Sequence, residues 1–236
     1  MDMIIGNGQL AQAFINTPHD DIVFFASGVP NSNCTDESQF DRERQLLLST
    51  LQSHNDKKFI YFSSCALSSK EYPKNRYYQH KAEMEQLIKN YSKSYYIFRI
   101  PQLFGHLKHH KTLINFLYES IINDQEFHLY NEAYRYVIEI EDVKNLVEAY
   151  LKYSHSSITI DLANDYRYKV LDIVKIFENL LNKKATYDII DRSDGYMLDL
   201  TDMSQFIKTN DLNIIFSPYY LYDKLYEKLK NTPHLL

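Results

Sequence analysis

The chain has no tryptophan and little glycine, proline or cysteine: 236 residues hold five Gly, six Pro and two Cys. No internal repeat or low-complexity segment interrupts it, which excludes solenoid and linker-like organisation. Cys34 and Cys65 match no metal-ligand spacing and make no disulfide framework. Cys65 is expected to pack as a small hydrophobe. No apolar run approaches ~18 residues, and no basic segment followed by an apolar one opens the chain, so a cytoplasmic location without membrane contact is expected. Positive charge is not in excess either. The net charge is −5 and the pI about 6.0, which gives no reason to expect nucleic acid as a partner. The basic run 108–111 reads as a solvated loop. What remains is ordinary globular material, 44% hydrophobic and 24% charged. It is enough for one domain, or one large domain with a small lobe.

Against that background one stretch stands out, from Lys58 to Ile88. The apolar run Phe59 to Phe62 ends in Ser63 and Ser64. A helical pattern from Asn75 then carries Tyr77 and, four residues on, Lys81. Residues four apart share a helix face, so a phenol would lie beside an ammonium with a strand-end hydroxyl nearby. A free phenol has a pKa near ~10 and needs a neighbouring cation to act at neutral pH. Lys81 is placed to supply it. Among 21 tyrosines such a pair could arise by chance. The ordered set of glycine turn, Ser-ended strand and Tyr-x-x-x-Lys gives it weight.

The chain opens with the short strand Met3-Ile4-Ile5 running into Gly6-Asn7-Gly8-Gln9-Leu10-Ala11, a G-x-G-x-x-A turn before a helix. Such a turn brings backbone and a helix N-terminus against a pyrophosphate. Next come a strand over 21–26, a polar loop 30–37, a helix over 41–53 bearing Leu46, Leu47, Leu48 and Leu51, the Ser-bearing strand, the Tyr77 helix, and a strand over 95–100. This βαβαβαβ order predicts a parallel sheet with helices on both faces. Beyond Gly105 the expected order is a His-rich loop (His106, His109, His110), a helix over 112–122, a strand over 135–139 and a helix to about Tyr153. A strand over 157–162, a helix over 170–181, a strand over 186–190 and a helix over 219–230 follow. The histidines lack a carboxylate or Cys at metal-ligand spacing, so no metal site is read from them. The division expected is a cofactor-binding part over 1–105 and a mainly substrate-binding lobe over 106–236. Sheet-completing segments fall around 135–162, and the whole is one structural unit.

These motifs resemble the short-chain dehydrogenase/reductase superfamily over nearly the whole chain, and within it the extended NAD-dependent epimerase/dehydratase branch. Gly6, Gly8 and Ala11 match its cofactor turn, 59–64 its active-site strand, Tyr77 and Lys81 its Tyr-x-x-x-Lys, and 98–105 the segment passing the nicotinamide. The resemblance implies a doubly wound Rossmann-like α/β fold and NAD or NADP as cofactor. It places Gly6, Gly8, Gln9, Leu10, Ala26, Ser27, Gly28, Lys81, Pro101 and Leu103 against that cofactor. Ser64, Tyr77 and Lys81 would be catalytic, with Lys81 also holding the nicotinamide ribose. Ser63, Gln102 and Arg135 would face a nucleotide-sugar substrate, Arg135 at its diphosphate. A homodimer through the helices 41–53 and 75–91 is also implied.

Three departures qualify the resemblance. The strand at Asp21 looks like the family's fourth, so the adenosine-side edge and its ribose-reading acid are missing. The Ser64–Tyr77 interval lacks the loop of most nucleotide-sugar members, and Gln102 replaces their Asn. The activity expected is reduction of a keto group on a nucleotide-linked deoxysugar for surface polysaccharide, with a loosely held, exchanging cofactor. C4 epimerisation and non-catalytic binding are the alternatives. Dehydration is disfavoured, because Cys65-Ala66 stands where its acid–base pair would be.

Overall fold

A computed structural model describes residues 3–17, 20–70, 72–107, 112–155 and 157–230. The first half alternates β1 (Met3–Ile5), α1 (Gln9–Phe14), β2 (Ile22–Phe25), α2 (Glu37–Ser53), β3 (Lys58–Ser64), α3 (Arg76–Tyr91) and β4 (Tyr95–Ile100). The second half contains β5 (Gln102–Phe104), α4 (Leu113–Ile122), β6 (Phe127–Glu139), α5 (Ile140–Tyr153), β7 (Ile158–Asp161), β8 (Arg167–Lys169), α6 (Val170–Leu181), β9 (Tyr187–Asp194), α7 (Thr201–Thr209) and α8 (Tyr220–Lys230).

The main sheet is wholly parallel, in the order β1-β2-β3-β4-β7. Its central strands carry unbroken apolar runs, Ile22–Phe25, Phe59–Phe62 and Tyr95–Phe98, because both faces are covered. Side-chain alternation divides each strand between two cores. Val23, Phe25, Phe59 and Tyr61 meet Leu47 and Leu51 of α2 and Met84 and Ile88 of α3. Ile22, Phe24, Ile60 and Phe62 face Phe14 of α1 and Val143, Leu146, Val147 and Tyr150 of α5. The doubly wound expectation holds. So does the shortened edge: β1 is the outermost strand, and β2 pairs with it directly in register Ile5 to Phe25.

A smaller sheet, β5-β6-β8 with β9 also on β6, carries a separate hydrophobic cluster around Leu117, Phe127, Val137, Phe177 and Leu225. Here the strand expected over 135–139 extends back to Phe127. Phe127, Leu129 and Ala133 bury one side, while the intervening polar residues hid the alternation. The strands β5 and β8 span three residues each, too few to show a period. Helix α7, not among the expected elements, packs Met203, Phe206 and Ile207 on the main core, an apolar stripe only one turn long. Among the described residues, no helix is long and apolar enough to cross a membrane. His109, His110 and the rest of the run 108–111 lie outside the described residues.

Helix α3 begins at Asn75, whose Oδ1 accepts from the Tyr78 N–H at 3.1 Å. Its Nδ2 donates to the Ser32 carbonyl at 2.7 Å. Asn75→Ala should therefore cost about 1 kcal/mol as a lost cap, read from the chemical denaturation midpoint. An unchanged midpoint would remove the cap from the account.

Candidate active site

The C-terminal ends of β1 and β2 set Gly6 against Ala26, and the segment after β2 sets Gly28 against Lys81 of α3. Gly6 has φ 131°, and a Cβ there would stand 2.5 Å from the Ala26 carbonyl oxygen, so the turn accepts only glycine. Ala26 in turn donates its N–H to the Ile5 carbonyl at 2.8 Å. Gly8 precedes the first turn of α1 with nothing within 4 Å of where a Cβ would be. Gln9 and Leu10, partly buried, start the helix, and Gln9 Oε1 is buried without a hydrogen-bond partner near Gly105.

Ser64 ends β3, opposite Ile100 of β4, and its Oγ accepts from the Ala66 N–H at 3.4 Å. Ser63 is buried with its Oγ unpartnered. Pro101 follows β4, and Gln102 and Leu103 lie in β5 beside Val137 and Ile138. The Cys65 thiol is buried against the Arg99 carbonyl at 3.1 Å, and burial pushes it well above the usual thiol range. It is an inert packing group.

The pair on α3 is arranged differently from the expectation. Lys81 Nζ donates to Glu43 Oε1 at 3.1 Å and to Tyr61 Oη at 3.0 Å. Tyr61 donates to the same carboxylate oxygen at 2.8 Å, and Glu43 Oε2 accepts the Val29 N–H at 2.8 Å. His80 Nε2 stands 3.0 Å from Oε2. Glu43 is 1% exposed and Lys81 3%. Burial acts to raise the Glu43 carboxyl, but the Lys81 ammonium, His80 and the Val29 N–H outweigh it and hold the group far below the carboxylate range. Lys81 Nζ lies 5.8 Å from the centre of the Tyr77 ring. The Tyr77 phenol is not lowered. Burial raises it first, and the Glu43 and Tyr78 charges add to that. The lowering expected from Lys81 is not found, and the ammonium is bonded to Glu43 and Tyr61 instead.

Tyr77 packs on Val29, Cys34 and Phe40, beneath the segment that follows β2. Helix α3 runs back along β3, so Lys81 lies level with Tyr61. Tyr77 sits about 6 Å further toward the strand end that bears Ser64. Tyr78 points elsewhere: it meets Tyr72 edge-on at 5.7 Å, and Tyr72 donates to Asp194 Oδ1 at 3.2 Å.

Arg135 does not pair with Glu139 or Glu141. It forms an ion pair with Asp194 of β9 and donates to the Asp194 carbonyl at 3.0 Å and the Tyr134 carbonyl at 2.8 Å. Sequence reasoning missed Glu43 and Asp194, the two carboxylates that meet the two expected cations. Among the described residues, no cluster of His, Cys, Asp and Glu could hold a metal.

The sheet order and the glycine turn define a doubly wound Rossmann-like α/β fold. No protein-family model matches the sequence, and no curated protein matches it. Solved structures share its fold. UDP-glucuronic acid 4-epimerase from Bacillus cereus, in complex with UDP-glucuronic acid and NAD, matches with TM-score 0.71 at 17% identity, over 95% of this chain and 79% of that one. UDP-glucose 4-epimerase from Bifidobacterium longum, in complex with NAD+ and UDP, gives 0.71 at 16% identity over 98% and 84%. UDP-N-acetylglucosamine 4-epimerase from Methanobrevibacter ruminantium, in complex with UDP-N-acetylmuramic acid, gives 0.70 at 15% identity over 95% and 79%. At 15–17% identity the likeness is one of fold.

Proposed function

We propose that this protein is an NAD-dependent enzyme that inverts C4 of a nucleotide-linked sugar. One coincidence carries the reading. The chain has the fold of proteins that are UDP-sugar 4-epimerases over 95–98% of its length. It also carries Ser64 at the end of β3 and Tyr77 and Lys81 on α3, the helix packed along that strand. The glycine turn fits a dinucleotide: Gly8 is open to an approaching pyrophosphate, and Gln9 Oε1 awaits a donor. Bound NAD would supply the hydride acceptor and donor. Ser64 Oγ would donate to the sugar oxygen at C4, and Tyr77 would hold the proton exchanged with that oxygen. A raised phenol serves as donor directly. It becomes a base only when the Lys81 charge is released from Glu43.

Net reduction of a keto group, the activity first expected, calls for a cofactor that leaves after each turnover. An epimerase keeps its cofactor through oxidation and re-reduction. The fold shared with UDP-sugar 4-epimerases favours that course over net reduction, and with it a cofactor retained where the missing adenosine-side strands had pointed to a loosely held one. A second reading, a binding protein without turnover, draws support from the neutralised cations, Lys81 by Glu43 and Arg135 by Asp194.

The test is to purify the protein without added cofactor, denature it and identify the released nucleotide, then titrate the protein with UDP-sugars. NAD near one equivalent is expected, together with UDP-sugar affinity. Protein that neither carries nor binds NAD would end the proposal. Arg135→Ala should weaken UDP-sugar binding about tenfold, the scale of a lost charge-assisted hydrogen bond, and leave bound NAD unchanged. Equal UDP affinity in wild type and variant would reduce Arg135 to a partner of Asp194.

A further inference from the structure

The segment 26–34 between β2 and α2 lies across Lys81 as a strap, and its fastenings are specific. The Val29 N–H is bonded to Glu43 Oε2 at 2.8 Å, and the Ser32 carbonyl accepts from Asn75 Nδ2 at 2.7 Å. Val29 and Cys34 are buried against Phe40 and Tyr77. At its centre Gly28 approaches so closely that a Cβ there would stand 2.5 Å from Lys81 Nζ and 3.4 Å from Glu43 Oε1. Two hydrogen bonds from Lys81, to Glu43 and Tyr61, account for two of its three ammonium protons.

We propose that Glu43 is the positioning residue of Lys81 and the latch of this strap: one carboxylate oxygen holds the ammonium, and the other holds the strap closed over it. Lys81 then becomes available to a ligand only when the strap lifts and the ligand's own hydroxyl oxygens take the place of Glu43. The ligand chemistry this suits is a vicinal diol such as a ribose, and that part rests on the proposed function. The latch itself rests only on the contacts above. A carboxylate serving merely to neutralise a buried lysine has no need of the Val29 N–H, nor of a glycine pressed onto the ammonium. Glu43 has both.

The experiment labels lysines with an amine-reactive reagent and follows amide exchange by mass spectrometry, on the whole chain freed of any bound nucleotide. In wild type, Lys81 should stay unlabelled while exposed Lys70 reacts. Glu43→Gln and, separately, Gly28→Ala should each raise Lys81 labelling at least about tenfold and speed exchange across 26–34, with β4 and α5 amides unchanged, the pattern of a local opening. Gly28→Ala leaves every buried charge in place and decides the matter if Glu43→Gln does not fold. Glu43→Asp, which keeps the charge, should restore part of the protection. Lys81 as reactive as Lys70 in wild type, or as protected in Gly28→Ala as in wild type, would overturn the latch. If the latch responds and NADH leaves strap exchange untouched, the proposed cofactor is at fault and the latch stands.

Discussion

Tyr77→Phe should reduce turnover by about 10²–10⁴-fold, the range for losing a general acid–base, while NAD and UDP-sugar binding persist. The substitution removes one oxygen and keeps the ring that packs on Val29, Cys34 and Phe40. Stability should therefore change little, and the loss should fall on kcat and not on KM. Tyr78→Phe is the control. Its ring meets Tyr72 and Tyr77 edge-on at 5.7 and 5.2 Å, on the side away from Lys81. Its loss should be small by comparison. Steady-state rates of the two variants decide between them. Were Tyr78 the essential phenol, the proton would travel by the Tyr72–Asp194 side of the cleft and the role given to Lys81 would fail.

The second large effect concerns stability. Lys81→Met should lower the unfolding free energy by about 3–5 kcal/mol, the usual cost of leaving one member of a buried ion pair unpaired. The Glu43 carboxylate would stay in the core with Tyr61, His80 and the Val29 N–H but without its principal cation. The effect has a definite pH sign. In the wild type the folded-state Glu43 carboxyl is depressed. Its contribution is thus complete above the unfolded value of about 4.3 and is lost as pH falls through the much lower folded one. In Lys81→Met burial acts without that opposition, so the carboxyl takes up a proton more readily. The deficit between variant and wild type should be largest near neutrality and shrink as pH is lowered toward about 4. Urea denaturation across that interval measures it. A deficit independent of pH would mean that packing, not charge, had been lost.

Much of the molecule could be read from the chain. The first half follows from apolar runs of four residues within β2, β3 and β4, and from leucine-rich or amphipathic helices between them. The glycine turn was legible because so few glycines compete with it, and Gly6 does need its conformation. The second half was less legible, since its short strands find partners only in tertiary context. The site was read in its donors but not in its acceptors. Glu43 falls three residues after Phe40 and four before Leu47, on the buried stripe of α2, and Glu85 falls four after Lys81 on that of α3. A carboxylate at such a position asks for a partner, and that spacing was the signal available for Glu43. Asp194 left no such trace. It meets Arg135 only because β9 lies along β6, a pairing that brings together residues far apart in sequence.

The central claim is best tested by proton NMR of UDP-glucose, UDP-N-acetylglucosamine and UDP-glucuronic acid, each incubated with the protein and NAD. Inversion at C4 of at least one of them, without net accumulation of NADH and absent from Tyr77→Phe, is the predicted result. No inversion of any of the three by protein shown to bind both NAD and that nucleotide sugar would contradict the account.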